Sequence, residues 1–132
     1  MKLVTRDTDY AVRAICYIAE ADKVVTVTEM VQKLGVPQPF MRKILQRLSR
    51  EKILISYKGQ AGGFKLKLKP ERIFVYNIMN IFQGKFSFNG CFLKKDLCPN
   101  RGKCVLRKKI KDIEGEALRK LKSINIASLI KN

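Results

Sequence analysis

From Thr8 to Glu20 the apolar residues Tyr10, Ala11, Ala14, Ile15 and Ile18 return at helical spacing, and polar residues fill the remaining positions. One face is therefore apolar, and a first helix is predicted with Thr8 or Asp9 as its cap. In "TVTEMVQKLGV" Thr26 stands three residues before Glu29, the arrangement of a capping box. Val27, Met30, Val31 and Leu34 supply a buried stripe, and Gly35 is a stop. A third helix opens at Pro37 and Pro39 and places Met41, Ile44, Leu45 and Leu48 at i, i+3, i+4 and i+7. The period then changes: "ILISY" and "FKLKL" read as strands joined by a loop containing Gly59, Gly62 and Gly63, which predicts a β-hairpin.

Beyond the hairpin, Pro70 opens another helical stretch through Phe74, Ile78, Ile81 and Phe82, closed by Gly84. Lys85 to Lys103 lacks apolar period and reads as a loop. From Val105 to Ile124, Leu106, Ile110, Ile113, Ala117, Leu121 and Ile124 alternate steps of four and three, the pattern of a long amphipathic helix weakened at Gly115 by roughly 1 kcal/mol. The fold class expected is mainly α with a small β-hairpin: a winged helix-turn-helix plus a long C-terminal dimerisation helix. Three segments follow, with a DNA-binding domain at 1–84, a cysteine-rich segment at 85–104, and a dimerisation helix and tail at 105–132.

Charge changes the picture from fold to function. The 132 residues hold 28 Lys and Arg against 11 Asp and Glu, a net charge of +17, more than solubility asks of so small a domain. A polyanionic partner is implied. If the four apolar positions of helix three face the core, then Gln38, Arg42, Lys43, Gln46, Arg47 and Arg50 face out beside Pro39. Arginine can read guanine, glutamine can read adenine, and lysine meets phosphate. Lys58, Gly59, Gln60 and Lys65 frame the hairpin tip, where glycine lets backbone lie close to a sugar-phosphate edge. The plainer reading of these residues is a solvated helix face and an ordinary hairpin. Against it stands the coincidence of motif order and charge: Glu51 is the only acid from Pro37 to Leu68.

No run approaches the roughly 20 apolar residues needed to cross a membrane, and the N-terminus lacks the features of a signal peptide, so a cytoplasmic location is expected. No histidine is present for general-base work, and no nucleophile elbow, phosphate loop or C-x-x-C pair occurs. An enzyme is not expected.

Three of the four cysteines, Cys91, Cys98 and Cys104, lie in "GCFLKKDLCPNRGKC" with six and then five residues between them. A reducing compartment disfavours a disulfide. Zinc sites favour two thiols two to four residues apart, which this segment lacks. Wider spacing suits an iron-sulfur cluster, leaving one place for a carboxylate, a water, a small molecule or nothing. Lys94, Lys95, Arg101, Lys103 and Arg107 help keep thiols ionised, or simply add charge facing DNA. Cys16, within the apolar period of helix one, reads as a buried structural cysteine.

The opening "MKLVTRDTDYAVRAICYIA", the wing "KGQAGGFKLK" and the three-cysteine segment ahead of a long helix together resemble the Rrf2-type bacterial transcriptional regulators, over nearly the whole chain. The resemblance implies a homodimer holding a 2Fe-2S or 4Fe-4S cluster that changes DNA affinity. IscR-like members carry a histidine three residues after the last cysteine, where this chain has Arg107. NsrR-like members use an aspartate from the other subunit, and "TDYAVR" puts Asp9 at the matching place, with Asp7 the weaker substitute. Asp9 is equally a residue that the helix dipole favours in a first turn. The function implied is a dimeric regulator, a repressor by resemblance, sensing nitric oxide, redox state or iron-sulfur status. The alternatives are a cluster-free member of the same family answering to a metabolite or partner protein and, after that, an architectural or RNA-binding basic protein. The apolar stripe of the last helix finds a natural cover in a second copy, which sets two reading helices about 34 Å apart and predicts a palindromic operator.

Overall fold

The computed structural model describes residues 3–86 and 105–130. Helix α1 (Arg6–Ala21) runs through the centre, with Ala11, Ala14, Ile15 and Ile18 excluded from solvent. Its cap is Thr5, whose side chain accepts from the Thr8 amide, so the helix starts two residues before the expected point. Neither Thr8 nor Asp9 serves as cap. The reason is tertiary: Thr8 is wholly buried and its hydroxyl donates to Gln83 Oε1 at 2.7 Å.

Helix α2 (Val27–Leu34) is capped by Thr26, which accepts from the Glu29 amide at 3.1 Å, and it ends at Gly35 in the left-handed region. Only the first half of the expected capping box is seen, since the Glu29 carboxylate turns instead to the Tyr17 hydroxyl and Lys23. Helix α3 (Gln38–Arg50) buries Met41, Ile44, Leu45 and Leu48 as the period requires. Burying a side chain of that size contributes about 1.5 to 3 kcal/mol, and four on one face anchor α3 to α1 and α2.

Strands β1 (Leu54–Tyr57) and β2 (Gly63–Leu66) pair antiparallel with Leu54 opposite Leu66 and Tyr57 opposite Gly63. Val25, just before α2, bridges Phe64 through two backbone hydrogen bonds of 2.9 and 2.8 Å. The wing is thereby pinned to the loop between α1 and α2. Gly63 makes that approach possible, because a Cβ there would lie 2.4 Å from the Val25 carbonyl oxygen.

The stretch from Pro70 to Gly84 is not one helix. Pro70–Arg72 forms a 3-10 turn, Ile73 and Phe74 are extended, and α4 begins only at Val75 (Val75–Gln83). Backbone pairing with the C-terminal region holds the break open: Val75 N donates to Ile124 O at 3.0 Å, and Ile126 N to Ile73 O at 2.8 Å. Helix α5 (Val105–Ser123) packs its second half on α4, where Ala117, Leu121 and Ile124 meet a small core of Val75, Met79 and Phe86. The stripe expected to be covered by a second copy is therefore covered within the chain over the last two turns of this helix. Leu106 and Ile113 are 66% and 57% exposed, and Ile110 is half-buried. The chain then forms α6 (Ile126–Ile130), unforeseen in the sequence, which returns to pack on α1 with Ile126 fully buried.

Candidate nucleic-acid interface and metal-ligating segment

Because α3 buries one stripe, its polar residues divide between two others. Gln38, Arg42 and Gln46 follow one another at four-residue steps and are exposed, with Pro39 beside Gln38 in the first turn. Lys43, Arg47 and Arg50 lie on the flank nearer α4 and line a cleft there with Ile81 and Phe82. Arg47 pairs with Glu51 at 3.4 Å, a surface contact of little energetic weight. Pro37 gives α3 no side-chain cap, which leaves the Gln38 and Phe40 amides of its first turn available to a phosphate, Pro39 having no N–H to offer.

The wing supplies a second positive element. Lys58, Gly59, Gln60 and Lys65 are all exposed, and Gly59 takes a φ of 101°, which turns the chain tightly between the strands. Sequence reasoning missed Arg6, whose guanidinium sits 4.5 Å from the centre of the Phe40 ring and ties the start of α1 to the first turn of α3. No local pattern marks it, since Arg6 and Phe40 are 34 positions apart. A short helix, a turn, an exposed basic helix and a glycine-tipped hairpin pinned beside it form a winged helix-turn-helix.

Residues 4–132 match the Rrf2 family of iron-dependent transcriptional regulators. The chain belongs to the Rrf2 family. Within it, the chain is 28% identical to a putative HTH-type transcriptional regulator of Aquifex aeolicus, covering 92% of this chain and 86% of that one. It is 25% identical to the transcriptional repressor NsrR of Streptomyces coelicolor, over 96% of this chain and 87% of the relative. In three dimensions it is similar to CymR, the global cysteine regulator of B. subtilis, with a TM-score of 0.79 at 14% identity, covering 98% and 97% of the two chains. The winged helix-turn-helix is thus part of an Rrf2 transcriptional regulator, and the protein is not an enzyme.

The three cysteines expected to bind metal in this Rrf2 chain, Cys91, Cys98 and Cys104, lie outside the described residues. Their chemistry fits iron: three soft thiolate donors with lysine and arginine interleaved to favour ionisation. Among the described residues no group of three or more His, Cys, Asp or Glu side chains could hold a metal ion. Asp9 lies in the first turn of α1 with its side chain 46% exposed and paired to Arg13 at 3.0 Å, so its carboxylate faces outward. Cys16 is a poor donor. Burial, reinforced by the Glu20 charge, raises its thiol above the usual range and opposes the thiolate that iron requires.

Two hydrogen-bond systems brace this end of the molecule. Gln83 Oε1 accepts from the Thr5 amide at 3.0 Å and from the Thr8 hydroxyl, while Gln83 Nε2 donates to Leu3 O at 3.0 Å. The last residue of α4 is thereby locked to the first turn of α1, one position from Asp9. At the other end of α1, Tyr17 donates to Glu29 and secures α2.

Proposed function

We propose that this Rrf2 regulator is a homodimeric repressor whose hold on a palindromic operator is set by an iron-sulfur cluster. Cys91, Cys98 and Cys104 supply three donors, and Asp9 of a second copy supplies the fourth. The observation that carries the reading is the trio of thiols in a histidine-free chain that also bears a complete winged reading head. When bound, such a centre offers an oxygen-ligated iron that is accessible to nitric oxide or oxidants. A 2Fe-2S and a 4Fe-4S centre are both compatible with the donor set.

The remaining steps belong to the protein. Gln38, Arg42 and Gln46 meet base edges, while Lys43, Arg47, Arg50, Lys58 and Lys65 meet phosphate. Val105, Leu106, Ile110 and Ile113 provide apolar surface for the second copy, continuous with the Ala117, Leu121 and Ile124 stripe that already packs on α4. Asp9 is next to Thr8, and Gln83 directly precedes Gly84, from which the chain continues toward the cysteines. Within one subunit the Thr8 to Gln83 bond therefore links the Asp9 side of one centre to the cysteine side of the other. A change at either side reaches α1, which packs on α3. A tenfold to hundredfold difference in DNA affinity corresponds to about 1.4 to 2.7 kcal/mol of coupling.

The test is iron and acid-labile sulfide content of protein purified without oxygen, followed by duplex binding with and without the centre. Stoichiometric iron that is lost in Cys98→Ala and kept in Cys16→Ser, together with operator affinity that falls on its removal, is the expected result. Iron-free anaerobic protein would leave a regulator of the same family that answers to a metabolite or a partner protein.

A further inference from the structure

We propose that the cleft between α3, α4 and the start of α1 is an effector site for a small amphipathic carboxylate, an aromatic or branched short-chain acid, whose binding loosens the grip of α3 on DNA. The inference rests on the DNA-binding role of α3 and is independent of any iron centre.

The cleft has a volume of about 200 Å³. At about 30 Å³ per water in the liquid, that is room for roughly seven waters, or a six-membered ring with a carboxylate arm. Its floor is apolar: Ile44 is buried, and Ile81 and Phe82 are half-buried members of the main core. Its rim is cationic, with Lys43, Arg47 and Arg50 stacked at i, i+4 and i+7 along one side of α3.

Those charges are poorly answered within the chain. Asp7, across the cleft at the start of α1, is the single acid on the lining and already lies 3.8 Å from Arg6. Arg47 is shared with Glu51, whereas neither Lys43 nor Arg50 has a carboxylate within 4.0 Å among the described residues. Like charges on successive helical turns repel one another. A carboxylate entering between them relieves that repulsion while its apolar part displaces water from Ile81 and Phe82. Binding pockets for small molecules combine an apolar lining with a few converging polar groups in this way. A DNA phosphate meets the cations equally well but carries no apolar group to set against the floor, which favours an organic acid as the occupant.

The coupling follows from shared residues. Lys43, Arg47 and Arg50 cannot hold a carboxylate in the cleft and a phosphate outside it at once. Each phosphate contact given up lowers the slope of log affinity against log salt by about 0.9.

Calorimetric titration of the full chain with phenylacetate tests the site, with acetate and phenylacetamide as comparisons that lack the ring and the charge. Saturable phenylacetate binding is expected, weaker by about tenfold or more for either comparison compound and for the K43Q/R50Q double variant. Phe82→Leu, which keeps an apolar side chain on the floor but removes the ring, should weaken phenylacetate selectively over acetate. Saturating phenylacetate should also weaken binding to a fluorescent duplex of arbitrary sequence and flatten its salt dependence. Absence of saturable binding, acetate binding as well as phenylacetate, or unchanged duplex affinity in saturating phenylacetate would each overturn the proposal. Iron content enters none of these readouts, so this site and the iron-centred reading fail separately.

Discussion

Gln83 carries more of the architecture than its exposed neighbours suggest. Its side-chain oxygen answers a buried hydroxyl and a backbone amide, and its nitrogen answers a carbonyl. Leaving a buried polar group unpaired costs about 1 to 3 kcal/mol. Gln83→Leu should therefore lower the urea-unfolding free energy by about 2 kcal/mol, while Gln83→Glu, which keeps the acceptor oxygen, should lose less. A second residue-scale expectation concerns pH. The Tyr17 hydrogen bond, helped by Lys23, holds the Glu29 carboxyl below its ordinary range. A carboxyl depressed in the folded state stabilises above its unfolded pKa of about 4.3, and that contribution fades as pH falls through the folded value. Tyr17→Phe should consequently flatten the acid limb of stability against pH below about pH 4. Thr26 as the cap of α2, and the inward positions of α3, are readable in the sequence because their causes are a few residues away. The Thr5 cap is not: Thr5 and Thr8 are equally good caps by type, and a glutamine 75 positions beyond Thr8 decides between them.

At the scale of elements, the wing depends on one glycine more than on its tip. Gly63 combines a φ of 152° with a Val25 carbonyl that a Cβ would strike at 2.4 Å. Gly63→Ala should destabilise the protein by about 1 to 3 kcal/mol and broaden the amide resonances of Val25 and Phe64. Gly59→Ala meets no neighbouring atom but is strained at φ 101°, so its effect should be confined to the tip and to DNA affinity. The hairpin is legible from its alternation and its glycines, whereas the third segment that pins it is not, because "VVT" before α2 is too short to signal a strand. A comparable limit explains α4. Apolar period runs on from Pro70, yet Ile73 and Phe74 straighten because their backbone partners lie around Asn125. Periodicity reports which face of a segment is apolar, and it is blind to a hydrogen-bond partner 50 residues away.

For the whole molecule, α5 sets the question of assembly. Its second half already covers Val75 and Met79, and its first half presents Val105, Leu106 and Ile113, each more than half exposed. If a second copy covers that surface, the L106E/I113E double variant should sediment as a monomer and keep its helical content. It should also bind a two-half-site operator at least tenfold more weakly, since the two heads no longer act together. The stripe itself is evident in the sequence. Its division between a partner inside the chain and one outside is not, because both halves show the same spacing.

Local pattern alone determined the amphipathic α3, the capped α2, the hairpin, the positive charge of α3 and the wing, and the trio of thiols. Each depends on neighbours within a few residues or on composition, and both survive in a linear string. Tertiary structure decided where α1 begins, why the chain breaks at Ile73, how Val25 holds the wing, and that Lys43, Arg47 and Arg50 turn toward α4 and away from the stripe of Gln38, Arg42 and Gln46. All four result from groups far apart in the chain competing for one buried hydrogen bond or one apolar surface. Only the folded arrangement settles which group obtains it.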